Sequence, residues 1–110
     1  MLTGIFLCMA AEVVDGDTLR CANIEDANGR VRLARIDTPE RGRPGFDEAS
    51  RALEAMIAGR TVRCQHVDAS PFEEGFQDRD RYGRIVARCF VDGVDLGEKQ
   101  VRSGMATRWP

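Results

Sequence analysis

The sequence predicts a mainly β, α+β fold: five strands closing a small barrel, one helix between the third and fourth strands, and a short helix near the C-terminal end. Three observations carry this. Short apolar or alternating runs are separated by Gly, Asn and Asp turn signals, which is the strand-and-hairpin pattern. The period switches at Ala49, Ala52, Leu53, Met56 and Ile57 to the i, i+3, i+4, i+7, i+8 spacing of one helix face. Asp95 stands three residues before Glu98, an arrangement resembling a capping box that opens a second helix.

In chain order, Ile5 to Val14 reads as the first strand, apolar on both faces. Asp15-Gly16-Asp17 is a turn, and Thr18 to Ile24 forms the second strand. Asn28-Gly29 is the stronger half of the next turn. The third strand starts at Val31 with arginines interleaved among apolar residues, and ends at Thr38-Pro39 because proline cannot donate to a ladder. These three strands make an antiparallel meander. After an Arg/Gly/Pro loop (Arg41 to Gly45) the first helix runs to Ile57 and stops at Gly59. Thr61 to Val67 is the fourth strand, with Val62, Cys64 and His66 on one face; that spacing makes His66 a core histidine rather than a ligand. Asp68 to Arg79 has no periodicity and reads as a mobile polar loop. Asp80-Arg81-Tyr82-Gly83 turns the chain into the fifth strand, Arg84 to Val91. The terminal helix spans Asp95 to Val101 and closes at Gly104. Strands and helices in this order suggest a barrel of the OB type, with a half-barrel of another topology as the alternative.

A chain of 110 residues is one domain, residues 1–110, with room for a modest core. A formal charge of −2 argues against a protein that coats nucleic acid non-specifically, since that needs a broad basic surface. It leaves room for a local site. All basic residues but Lys99 are arginine, the better bidentate phosphate ligand. Gly4 to Ala11 is too short to span a bilayer, so no membrane association is expected. No signal peptide is visible in this chain.

The stretch from Arg32 to Glu40 concentrates chemistry. Arg32 lies on the strand, while the strand end throws Asp37 and Glu40 onto a loop. Carboxylates and a guanidinium this close suit a hard cation and a phosphate. Taken singly, each residue has an ordinary reading. Asp15 and Asp17 are turn formers, Arg84 is a surface cation, Tyr82 covers a barrel end, and Arg35, Arg41 and Arg43 are solvated.

Together they mean more. Val-Asp-Gly-Asp-Thr ending at Thr18, Arg32-x4-Asp37-Thr38-Pro39-Glu40, and Asp80-Arg81-Tyr82-Gly83-Arg84 resemble, in this order and spacing, the staphylococcal nuclease family. The likeness runs from about Cys8 to Arg108. It implies an OB-fold enzyme that hydrolyses DNA and RNA with one calcium ion and leaves 3′-phosphates. It further implies Asp17, Asp37 and the Thr38 carbonyl as metal donors, with Asp15 beside them. Arg32 and Arg84 then clamp the phosphate, Glu40 is the general base or water-positioning group, and Tyr82 contacts substrate. The expected partners are single-stranded or frayed DNA and RNA, and the expected state is a monomer. Longer family members continue past this chain with more substrate-contacting aromatics; Trp109 either stands in for these by stacking on a base or caps the barrel. The competing reading is an OB module that binds nucleic acid or protein without catalysis. A zinc or thiol-redox role is weaker, because no Cys-x-x-C occurs.

Strand geometry pairs the four cysteines. Cys8 and Cys21 flank the Asp15-Gly16-Asp17 turn on consecutive strands; Cys64 and Cys89 both point inward on the fourth and fifth strands. They are expected as neighbours, bridged if the protein is exported and buried as free thiols if it is cytosolic. Export is the favoured expectation.

Overall fold

The computed structural model describes residues 4–109. It is a mixed α+β architecture with nine short strands and two helices among those residues. The strands are β1 (Ile5–Cys8), β2 (Glu12–Asp15), β3 (Thr18–Arg20), β4 (Arg30–Leu33), β5 (Ile36–Asp37), β6 (Val62–His66), β7 (Ile85–Val91), β8 (Val94–Asp95) and β9 (Thr107–Arg108). The helices are α1 (Phe46–Ile57) and α2 (Leu96–Arg102). The main sheet runs β1-β6-β7-β4-β3-β2, with β8 hairpinned onto β7, while β5 and β9 form a separate ribbon.

The expected first strand is two strands. Ala10 takes a left-handed φ of 48°, which breaks the run between β1 and β2. One piece then pairs with β6 and the other with β3, at opposite edges of the sheet. Because only Met9 to Ala11 separates the two edges along the chain, the sheet must roll toward itself. Among the described residues no ladder joins β1 to β2, so the five-strand closed barrel is not what the hydrogen bonds display.

The expected meander is β2-β3-β4, antiparallel throughout. The second strand stops at Arg20 rather than Ile24, since Ala27, Asn28 and Gly29 all adopt left-handed φ and build a short 3-10 turn in place of a two-residue hairpin. The third strand breaks after Leu33. Arg35 has φ 65°, and the chain leaves β7 to pair with β9 as β5. Asp37 therefore ends a strand instead of standing on a loop.

Binary patterning explains the core. On β4 Val31 and Leu33 are buried while Arg30 and Arg32 face outward. On β7 Ile85, Ala87, Cys89 and Val91 are buried in alternation. The α1 face predicted from spacing supplies Ala49, Leu53 and Ile57. Leu53 is fully enclosed, so truncation to alanine should cost about 2–5 kcal/mol. At α2 the Asp95 carboxylate accepts from the Glu98 N–H at 3.1 Å. Glu98 does not return the bond; its carboxylate grips Arg108 through two hydrogen bonds of 2.6 and 2.7 Å.

Three further expectations change. Cys8 and Cys21 form a disulfide, yet not across a hairpin: β1 and β3 are not paired, and Cys21 lies just past β3. Cys64 and Cys89 are directly opposed on β6 and β7 and form the second disulfide. The 68–79 segment is organised rather than featureless, because the Asp68 carboxylate accepts from the Ser70 and Gln77 N–H groups. His66 is half-buried and stacks obliquely on Phe6, ring centroids 5.1 Å apart. No helix among the described residues is long and apolar enough to cross a membrane.

Candidate active site

The Asp15-Gly16-Asp17 turn is buried at its centre because the meander folds it under the Thr38 segment and α1. A Cβ on Gly16 would lie 2.6 Å from the Ala49 Cβ and 3.1 Å from the Thr38 side chain, so only glycine permits that approach. Asp17 is 8% exposed. Its Oδ1 accepts from the Thr18 hydroxyl at 3.0 Å and its Oδ2 from the Thr38 N–H at 3.2 Å. The Asp15 Oδ1 accepts from the Asp17 N–H at 3.2 Å.

Strand register delivers the first arginine. Arg32 on β4 lies opposite Thr18 on β3, next to Asp17. Its guanidinium reaches the Asp17 Oδ2 at 3.4 Å and the Asp37 Oδ1 at 3.6 Å, and donates to the Leu33 carbonyl at 2.7 Å. It thus stands as the counter-charge between two carboxylates. Asp37 is exposed and anchored by the Asp37–Thr107 pairing of β5 with β9.

The second arginine comes from the turn before β7. The Asp80 carboxylate accepts from the Tyr82 and Arg84 N–H groups at 2.9 Å each, and from the Arg84 Nε at 2.8 Å. That grip uses only Nε, so among the described residues the terminal nitrogens of Arg84 have no protein acceptor. The Arg84 guanidinium lies 5.1 Å from the Tyr82 ring centroid on one side, and Arg81 lies 5.0 Å from it as well. Tyr82 itself is 58% exposed.

Asp15, Asp17, Arg32, Asp37, Thr38, Glu40, Tyr82 and Arg84 line one cavity of about 260 Å³, joined only by Pro39. The three sequence motifs thus converge on one place. Glu40 is exposed at its rim. A larger groove of about 670 Å³ shares Arg32, Tyr82 and Arg84 and continues to Arg35, Arg81 and Trp109. Arg41 and Arg43 line neither; Arg41 lies over the Phe46 ring at 4.9 Å.

Electrostatics mark the carboxylate end. Burial, reinforced by neighbouring Asp17, pushes the Asp15 carboxyl up from its ordinary 3.8 to about 6. The neighbouring Asp17 carboxylate thus adds to the cost of ionising Asp15. Among the described residues no three His, Cys, Asp or Glu side chains close on one point. A cation here would therefore depend on two carboxylates, a backbone carbonyl and water.

Sequence reasoning missed Asp80 as the anchor of Arg84 and Gln100 beneath the turn. Gln100 was findable: Leu96 and Gln100 are four apart on the inward face of α2, where a glutamine is out of character.

Comparison with known proteins accords with this geometry. Residues 30–109 match the family model described as "Staphylococcal nuclease homologue". The chain is 37% identical over 108 residues to the "Succinoglycan biosynthesis protein ExoI" of Rhizobium meliloti (strain 1021), covering 87% of this chain and 49% of that protein. It is 34% identical over 95 residues to an "Uncharacterized endonuclease" of Escherichia coli, covering 86% of this chain and 55% of the other. It is 35% identical over 77 residues to the "Probable staphylococcal-like nuclease CAN1" of Oryza sativa subsp. japonica, covering 70% and 20%. The chain spans about half the length of the two bacterial relatives. With the match to the family model covering most of its length, this chain belongs to the staphylococcal nuclease family.

Proposed function

We propose that residues 1–110 form one nuclease domain that hydrolyses phosphodiesters of single-stranded or frayed DNA and RNA with one calcium ion, releasing 3′-phosphates. The observation that carries this is the shared cavity, in which Arg32 from β4 and Arg84 from the turn before β7 face three aspartates and a glutamate. The rolled sheet, with one N-terminal run at both of its edges, supports an OB-type barrel as the scaffold.

The donor set fits a hard cation. Asp17 and Asp37 already bracket a positive charge, and the Thr38 carbonyl with waters would complete an all-oxygen shell. Bound there, calcium would supply charge neutralisation and polarise the phosphoryl oxygen. The protein's own groups do the rest. Arg32 and Arg84 donate to non-bridging phosphate oxygens, and their bonds strengthen as negative charge grows toward the transition state. Asp80 keeps Arg84 aimed, so little ordering remains at the moment of reaction. Glu40 orients a water and accepts its proton; the water oxygen forms the new bond to phosphorus as the bond to the 5′ oxygen breaks, and a solvent water protonates the departing 5′ oxygen. The strand beyond the scissile bond follows the larger groove, where Tyr82 and Trp109 offer faces for bases. The low net charge favours unpaired chains over long duplexes. The two disulfides support an exported protein working in an oxidising compartment, where it acts as a monomer.

The test is hydrolysis of a single-stranded DNA and an RNA oligomer with calcium or with chelator. Glu40→Ala and Arg84→Ala should each lower kcat by roughly 100-fold or more. Binding without calcium-dependent cleavage would instead identify a non-catalytic module.

A further inference from the structure

We infer that Gln100, on α2 and outside the motif residues, is a positioning residue that holds the Asp15-Gly16-Asp17 turn in the geometry the site uses. This rests on the nuclease reading above. Gln100 is fully buried. Its Nε2 donates to the Gly16 carbonyl at 2.9 Å and to the Ala49 carbonyl at 2.9 Å. The first acceptor lies between the two carboxylates of the turn. The second lies on the turn of α1 that presses against Gly16. One amide therefore ties together the carboxylate-bearing turn, the helix that follows Glu40, and α2.

Several features make this a positioning device rather than incidental packing. The site is buried, so the Gly16 carbonyl has no water to replace a lost donor. β2 and β3 shift register between Val13 and Asp15, and the ladder resumes only at the Asp15–Thr18 pair, so Gly16 itself lies outside the paired residues. The Gln100 Oε1 is buried and accepts no bond within the protein, a cost that leucine or methionine would avoid. Against that cost, both hydrogens of its amide go to backbone of the site. Its own carbonyl accepts from the Met105 and Ala106 N–H groups at 2.9 and 3.1 Å, so the anchor is itself rigid. Releasing it lets the turn rotate. That moves Asp17 away from the Thr38 N–H and from Arg32, 3.2 and 3.4 Å away.

The experiment compares wild type, Gln100→Leu, the milder Gln100→Met, and Leu53→Ala as a destabilised control, all at a temperature where each is folded. Calcium affinity is read by calorimetry, kcat and KM on an oligonucleotide, and amide exchange at Asp17 and Thr38. Both Gln100 variants are expected to bind calcium about 5–10-fold more weakly, to lose about 10-fold in kcat with KM little changed, and to exchange those amides at least about 10-fold faster than the control. Exchange and calcium affinity matching the Leu53→Ala control would overturn the inference. If wild type neither binds calcium nor cleaves, the nuclease reading fails; the amide exchange then decides the role of Gln100 alone. Should Gln100→Leu not fold, Gln100→Met carries the same comparison.

Discussion

Gly16→Ala offers the sharpest test of how the site is assembled. The new Cβ would sit 2.6 Å from the Ala49 Cβ, whereas carbon atoms prefer about 3.5–4.0 Å, so something must yield by about 1 Å. Neither side yields easily, because the Gly16 and Ala49 carbonyls are both held by Gln100. Such overpacking costs about 2–3 kcal/mol, and the lower entropy of an unfolded alanine chain offsets at most about 1 kcal/mol of it. Ala49→Gly, on its own, loses about 0.8 kcal/mol of methyl burial and about 1 kcal/mol of helix propensity. Together the two changes remove the 2.6 Å contact and leave only the 3.1 Å approach to the Thr38 side chain, which a shift of a few tenths of an ångström relieves. The double variant should thus be about as stable as Ala49→Gly alone, a coupling of about 2–3 kcal/mol. Urea unfolding of the oxidised proteins, with unchanged slopes, measures each corner of the cycle. Costs that add within about 0.5 kcal/mol would show that the turn and helix do not meet as described.

Two more predictions follow from particular groups. Because the Asp15 carboxyl is pushed up from 3.8 to about 6, the stability it contributes is fully present below its unfolded value and is lost as pH rises through about 6. The full displacement corresponds to about 3 kcal/mol, which solvent screening of this partly exposed group reduces to about 1 kcal/mol. In chelator, Asp15→Asn should therefore melt like wild type near about pH 4 and about 4 °C higher near about pH 7.5; a gap that does not grow with pH refutes the assignment. Replacing Cys8 and Cys21 by serine opens a link with a sequence separation of 13 and should cost about 3 kcal/mol in urea; the separation of 25 for Cys64–Cys89 gives about 3.5 kcal/mol. Non-reducing peptide maps that join Cys8 to Cys64 or Cys89 would contradict both figures.

Local physics made much of this molecule legible in the chain itself. Period-2 runs located the inward faces of β4 and β7, the spacing from Ala49 to Ile57 located the buried face of α1, and Asp95 announced α2. Three short motifs contain every residue that lines the smaller cavity. Each of these signals is read within one turn or one strand, where neighbours along the chain are also neighbours in space. What only the tertiary structure decided depends on partners far apart in sequence. Nothing near Ala10 announces that the first strand divides to serve both edges of the sheet, or that Arg35 hands the third strand from β7 to β9. The pairing of Arg32 with Asp17 and Asp37, the hold of Asp80 on Arg84, and the burial that lifts Asp15 exist only once the strands are in register. Gln100 is the extreme case. It reaches a carbonyl 84 residues away, and its polarity on an apolar helix face makes sense only when the turn above it is in place.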